Sequence, residues 1–259
     1  MSHALPTRHD DPAALRHACR TGAFAAATAG HAPGRAQANL AILPQADADD
    51  FLLFCRRNPK PLPLIEVLAA GAREALSAPG SDIATDAPGY RVYRDGALVE
   101  ERADVAALWR PDLVAFLIGC SFSFEHALED AGIPLRHLRQ GRNVAMYRTN
   151  LACTPAGRFA GEMVVSMRPI RSRDVARVVE ICAGFPQSHG APVHVGDPGA
   201  LGIADLMQPD YGDAVDLLDD EVPVFWGCGV TAQWVAQRSG VPLCITHAPG
   251  KMFVTDLKE

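Results

Sequence analysis

One pattern occurs twice in this chain, and it restricts the fold more than any other feature. Residues 222–243 read VPVFWGCGVTAQWVAQRSGVPL, and residues 114–135, 108 positions earlier, read VAFLIGCSFSFEHALEDAGIPL. Aligned without a gap, the two share Val114/Val222, Gly119/Gly227, Cys120/Cys228, Gly132/Gly240, Pro134/Pro242 and Leu135/Leu243. Six identities in 22 positions are few, but they fall at the turn and at the start of the following strand. Each copy reads as a buried strand, a tight turn, a helix and a second strand, with Ser123 and Thr231 as helix N-caps. The chain is therefore expected to be an α/β protein with a duplicated β-turn-α-β unit in a parallel sheet.

Such a unit aims free backbone N–H groups and the positive end of a helix at whatever lies beyond the strand. Two such turns facing each other would suit a dicarboxylate or an amino acid. Cys120 and Ser121 in one turn, and Cys228, Gly229 and Thr231 in the other, become candidate binding residues. The plainer alternative is that the glycines only let helix and sheet approach closely. Neither turn carries G-x-G-x-x-G or G-x-x-x-x-G-K-[ST], so a nucleotide is not supported. A thiol at a helix N-terminus is also a candidate nucleophile, with an inert buried thiol as the default.

Composition sets outer bounds. A length of 259 residues leaves room for one large domain or two smaller ones. A formal charge of −6 argues against a general nucleic-acid surface. No apolar run reaches the roughly 18 residues of a membrane span, and MSHALPTRHDDP lacks an apolar signal core, so a cytoplasmic protein is expected. The 7 cysteines are scattered and form no C-x-x-C pair, which suits reduced thiols and gives no zinc framework.

Between the two copies the pattern changes. Residues 141–150 alternate so that Arg142, Val144, Met146 and Arg148 share one face of a strand, opposite Asn143, Ala145, Tyr147 and Thr149. A second strand follows at 162–168, stopped by Pro169, and then an amphipathic helix at 171–183. Strand, strand, helix suggests a small two-layer α+β domain spanning 136–204, inserted into a larger domain of residues 1–135 and 205–259. Helices are further expected at 10–29, 49–57 and 64–76, with a surface helix and turn in the acidic stretch 205–221. Tyr90 to Val99 reads as a hairpin around Asp95-Gly96.

Titratable residues gather at expected strand ends and in stiff loops. Glu125, His126, Arg148, Arg168, His189, His194, Asp197, His247 and Lys251 form this set. Lys60 stands between two prolines in Asn58-Pro-Lys-Pro, held rigidly or merely connecting. The loop with His189, His194 and Asp197 invites a metal reading, but the spacing is irregular and a third strong ligand is missing; proton transfer or substrate hydrogen bonding suits it better. No metal and no other cofactor is expected.

Several blocks together resemble one known family. They are Gly119 to Glu125 (GCSFSFE), Arg142 to Asn150 (RNVAMYRTN), Val164 to Pro169, His189 to Pro198, Val224 to Thr231 and Thr246 to Asp256, with Asn39 and Asn58 to Pro61 besides. In these the chain is similar to the hydro-lyase, D-glutamate cyclase-like family over nearly its whole length. The resemblance implies a three-layer αβα sandwich carrying a smaller two-layer α/β domain, and a carbon–oxygen lyase. It also implies, through a mitochondrial relative, conversion of D-glutamate to 5-oxo-D-proline and water.

The resulting expectation is lactam formation on a small amino dicarboxylate. Arg148, Arg168, Asn150, Asn39, Lys60 and His189, together with the two turns, would bind it. His194, His247 or Glu125 would take the ammonium proton, and Lys251 or the turn N–H groups would steady the oxyanion. Two alternatives stand beside it: dehydration of a hydroxy acid with Asp197 or His189 as base, and a non-catalytic binding protein of 5-oxoproline metabolism. The expected partner is a small carboxylate, with no nucleic acid or membrane; a homo-oligomer is compatible with the sequence.

Overall fold

The computed structural model describes residues 9–259, so residues 1–8, part of the stretch read for a signal core, lie outside the described residues. Asp11 starts α1 (Pro12–Arg20): its carboxylate accepts from the Ala13 N–H, and Pro12 occupies a position where a missing N–H does no harm. The helix ends nine residues short of the expected position 29, because Thr21 and Gly22, the latter at φ 73°, turn the chain away. Then come β1 (Arg35–Pro44), α2 (Gln45–Arg57), β2 (Leu64–Val67), β3 (Tyr90–Arg94), β4 (Ala97–Arg102) and β5 (Leu113–Gly119). A 3-10 turn leads to α3 (Glu125–Asp130) and α4 (Arg136–Arg139), and then to β6 (Ala145–Ala152), β7 (Glu162–Arg171) and α5 (Val175–Ala183). The chain closes with β8 (His194–Val195), β9 (Glu221–Gly227), α6 (Val230–Ser239), β10 (Cys244–His247) and β11 (Phe253–Lys258).

The strands form two sheets in a mixed α/β fold. The first runs β2-β5-β1-β10-β3-β4, with β11 also alongside β1; the second runs β6-β7-β9-β8. Every strand pair is antiparallel, which corrects the expected parallel sheet. β1 is the hub of the first sheet. It pairs with β5 from Ala38 to Pro44 and, on its other edge, first with β11 and then with β10. Its side chains alternate between two cores. Ala41 and Leu43 join Phe51, Phe54, Phe116 and Phe159, while Leu40 and Ile42 join Tyr90, Leu117 and Ile245.

Four expectations change with the tertiary structure. Residues 64–67 form β2 on the edge of β5 rather than a helix, since Pro63 holds the chain extended and Gly71 at φ 78° ends the run. β7 runs through Pro169 to Arg171, because β6 stops pairing at Met167 and the missing proline N–H has no partner strand to disappoint. Residues 205–221 contain no helix; their aspartates accept backbone N–H groups instead, Asp210 from Arg148 and Asp213 from Asn143, each at 2.8 Å. Ser123 and Thr231 do not cap helices. The Ser123 hydroxyl accepts from the Gln37 N–H and the Thr231 hydroxyl from the Val164 N–H.

The strand-turn-helix core of the duplicated unit is present twice, as β5 to α3 and β9 to α6. The copies lie in different sheets. Only the second goes on to a strand, β10, which returns the chain to the first sheet; residues 131–135 of the first copy lead into α4. β9 lies between β7 and β8, so the second sheet is completed by a strand from beyond residue 205. Among the described residues no helix is long and apolar enough to cross a membrane.

Candidate functional site

β5 and β9 end at Gly119 and Gly227, and both corners lie against other backbone. A Cβ at Gly119 would collide with the Gln187 carbonyl, and one at Gly227 would stand 2.8 Å from the Lys60 carbonyl oxygen. The proline-stiffened segment 58–63 therefore covers both corners, and its Pro63 carbonyl accepts the Gly119 N–H at 2.8 Å. Beyond them, Cys120, Ser121 and Cys228 line a single cavity with Asn39, Phe122, Val144, Met146, Val230, Gly250 and Met252. Its volume is about 10 Å³, room for one water-sized sphere. The Asn39 amide donates to the carbonyls of Ile118 (3.2 Å) and Gly119 (2.8 Å), and it occupies the space that a side chain at Gly229 would need. Burial pushes the Cys228 thiol up to about 11 and the Cys120 thiol higher still; N–H groups of Val230 and Phe122 facing the sulfurs pull the other way and lose. Burial thus works against a thiolate at either corner, and so against a cysteine nucleophile.

Behind Ser121 lies a buried ion cluster. Arg168 has no exposed surface, and its guanidinium donates to Glu125 Oε1 through Nε (3.0 Å) and a terminal nitrogen (2.5 Å). It also reaches the hydroxyls of Ser121 (2.9 Å) and Ser166 (3.2 Å) and lies 5.3 Å from the Phe124 and Trp226 rings. His137 Nε2 stands 2.9 Å from the same Glu125 oxygen. Burial raises the Glu125 pKa, but His137 and Arg168 outweigh it and hold the carboxyl below its ordinary range. Arg168 thus neutralises Glu125 through Oε1 alone, leaving the buried Oε2 without a hydrogen-bond partner, and the pair's route to the cavity is through Ser121.

The other expected residues are spread over the molecule. His189 takes a left-handed backbone (φ 75°), bonds the Lys60 carbonyl through Nδ1 at 3.0 Å, and is pushed down to about 4 by burial. Lys60 donates to the Ala191 carbonyl, and burial lowers its pKa. His247 is buried in the first sheet, where Nδ1 accepts from the Leu40 N–H at 3.0 Å, and burial pushes it to about 4. Thr231 stitches α6 to β7. His194 and Asp197 bond within their own loop: the imidazole to the Asp197 carbonyl (2.8 Å), the carboxylate to the Gly199 N–H (2.8 Å). Arg148 pairs with Asp210 at 2.5 Å over the Trp234 ring, and Asn150 donates to the Ala200 carbonyl. Among the described residues, no group of three His, Cys, Asp or Glu is placed to hold a metal.

Lys251 is different. It lies on an open cleft of about 540 Å³ with Arg91, Glu101, Asn143, Asp210, Tyr211 and Asp213. It makes no ion pair among the described residues, whereas Arg91 pairs with Glu101 at 2.7 Å. The 249–251 turn separates this cleft from the corner cavity: Gly250 lines the cavity, Pro249 and Lys251 line the cleft, and the Asn143 amide abuts Gly250 between them.

A family profile described as D-glutamate cyclase matches residues 114–256, more than half of the chain. The chain belongs to the D-glutamate cyclase family. A relative from Nocardioides sp., named "Putative hydro-lyase", is 56% identical over 100% of this chain and 98% of its own length. Relatives with the same name from Rubrobacter xylanophilus and Stutzerimonas stutzeri are 59% and 57% identical, over 95% and 96% of this chain and 96% and 94% of theirs. The chain is thus a lyase of the hydro-lyase kind by family. A solved nitrogen repressor-like protein from Methanococcus jannaschii superposes over 90% of each chain with a TM-score of 0.39 at 11% identity, a likeness too weak to carry an argument.

In this D-glutamate cyclase family member, tertiary structure adds residues that sequence reasoning passed over. Asn143 and Met146 stand in a block that the sequence singles out, but Asn143 lies just before β6 and Met146 within it. Met252 lies beside Lys251 and closes the cavity. Arg91 and His137 carry no local signal: a hairpin arginine and a histidine in a one-turn helix look like surface residues until the sheets assemble.

Proposed function

We propose that this chain forms a lactam from a small amino dicarboxylate with loss of water, D-glutamate to 5-oxo-D-proline being the form to test first, and that the substrate binds in the Lys251 cleft. The observation that carries the assignment to this cleft is an unpaired lysine ammonium beside Arg91 in a space large enough for an amino acid. The corner cavity, at about 10 Å³, is too small. Lys251 and Arg91 take the two carboxylates, and Asp210 or Asp213 receives the substrate ammonium. Loss of a proton frees the amine to attack the distal carboxyl carbon. A carbon–nitrogen bond forms, and one carboxyl oxygen leaves as water with the two protons that nitrogen gives up. Lys251 donates to the oxyanion of the tetrahedral intermediate. These steps need no cofactor. All seven cysteines are free and buried, which supports a reducing, cytoplasmic setting.

Purified protein incubated with D-glutamate, L-glutamate and 5-oxoproline, followed by mass detection, is the test. Conversion of one enantiomer, lost in Lys251→Ala, is expected; no conversion of any of the three sinks the cyclase reading. The hydro-lyase name of the relatives favours one second reading, dehydration of a hydroxy acid, which an enoate absorbance separates from lactam formation.

A further inference from the structure

The corner cavity has walls unlike those of the cleft beside it. Two thiols, Cys120 and Cys228, and two thioethers, Met146 and Met252, line it, and its remaining lining includes no carboxylate and no imidazole. Cys228 Sγ and Met146 Sδ are 3.6 Å apart. Two sulfurs bound to one tetrahedral ion at about 2.3 Å each would stand roughly 3.8 Å apart, so this pair is already spaced like one edge of such a site. The cavity volume of about 10 Å³ matches a single small ion. Cys120 and Cys228 are close enough to act on each other electrostatically.

We infer that Cys120, Cys228, Met146 and Met252 form a binding site for one soft, singly charged d10 metal ion, copper(I) or its analogue silver(I). The donor set argues for this class of ion. Thioethers are weak, uncharged ligands that hard and borderline cations refuse, while thiolate and thioether together select copper(I). Binding displaces the two thiol protons to solvent, and the sulfur lone pairs form the bonds to the ion; nothing is oxidised or reduced. Two thiolates and one monovalent cation leave a single negative charge, and the Arg168 guanidinium acts on both sulfurs in the direction that stabilises it. The fold also holds the donors in place. Cys120 and Cys228 are fixed by the glycine corners of the two copies, Met146 by its pairing with Ser166 near the start of the β6–β7 ladder, and Met252 by its N–H bond to the Thr28 hydroxyl. The site stands independently of the function proposed for the cleft, since it uses none of the cleft's side chains for coordination.

The test is an anaerobic titration of the reduced full-length protein with copper(I) against a chromogenic copper(I) chelator, repeated with silver(I) and zinc(II). One equivalent of copper(I) or silver(I) held against the chelator, with zinc(II) at least a thousand-fold weaker, is expected. Cys120→Ser and Cys228→Ser should each lower copper(I) affinity by a hundred-fold or more, and Met146→Leu by about ten-fold, while Cys55→Ser changes nothing. X-ray absorption on the copper-loaded wild-type protein needs no variant: a shell of sulfur alone at about 2.3 Å is expected. No binding by the folded protein, a nitrogen or oxygen shell, tighter zinc(II) than copper(I), or a Cys120→Ser affinity equal to wild type would each overturn the site.

Discussion

Arg168 shows how far a single buried charge can shape its surroundings. Three residues accept hydrogen bonds from its guanidinium, two of them through hydroxyls, and the pair with Glu125 is buried away from water. Removing one member of such a pair leaves an uncompensated buried charge, whereas removing both often changes little. Arg168→Met should therefore lower stability by about 3–5 kcal/mol at pH 7, and Arg168→Met with Glu125→Met should recover most of that loss; urea unfolding of the cycle measures it. Additive effects in the double variant would contradict the reading. His189 allows a cleaner pH experiment. Its folded pKa is pushed to about 4 by burial, below the ordinary value near 6.5. The unfolded chain takes up a proton in that window that the folded one refuses, so stability present above pH 6.5 drains away as pH falls toward 4, by roughly 3 kcal/mol. Asparagine tolerates the left-handed backbone at this position. The stability of His189→Asn should fall less steeply between pH 6.5 and 4 than that of wild type, and parallel curves would show that His189 is not the group responsible.

At the scale of elements, the two strand-turn-helix copies owe their glycines to neighbours rather than to backbone twist. Neither Gly119 nor Gly227 has a positive φ; what excludes a side chain is the Gln187 carbonyl over one and the Lys60 carbonyl over the other. Gly132, by contrast, has φ 77° and open space around its Cβ position. Gly119→Ala should cost about 3 kcal/mol or more, because backbone must shift, and Gly132→Ala about 1–2. Denaturant midpoints of the two variants settle the order, and equal losses would mean that the covering segments can move aside freely.

For the molecule as a whole, β9 is the joint. It contributes Val224, Phe225 and Trp226, all fully buried, to the second sheet, and the chain then re-enters the first sheet through α6 and β10. We propose that the two sheets unfold as one unit. Excising residues 136–204 would strip β9 of β7 and β8 together and expose three large side chains. The excised protein should be insoluble or unfolded, and intact protein should show one transition by both fluorescence and circular dichroism. A soluble, folded remainder would instead support residues 136–204 as an independent insert.

Much of this was legible in the residues. The alternation of Val144 and Met146 against Ala145 and Tyr147 set the two pairs on opposite sides of the chain at the start of β6, and they do belong to different cores. Asp11-Pro12 announced α1, and the repeated Gly-Cys corner announced two equivalent turns, because caps, turns and periodicity are local physics. What the sequence could not decide was partnership. Residues 64–67 became a strand because β5 had a free edge, Arg168 became a buried ion because Glu125 and His137 arrived from other elements, and four sulfur-bearing residues came to line one cavity because the ends of strands from two sheets meet there. Those outcomes depend on which distant groups remove each other from water, and no local pattern encodes that choice.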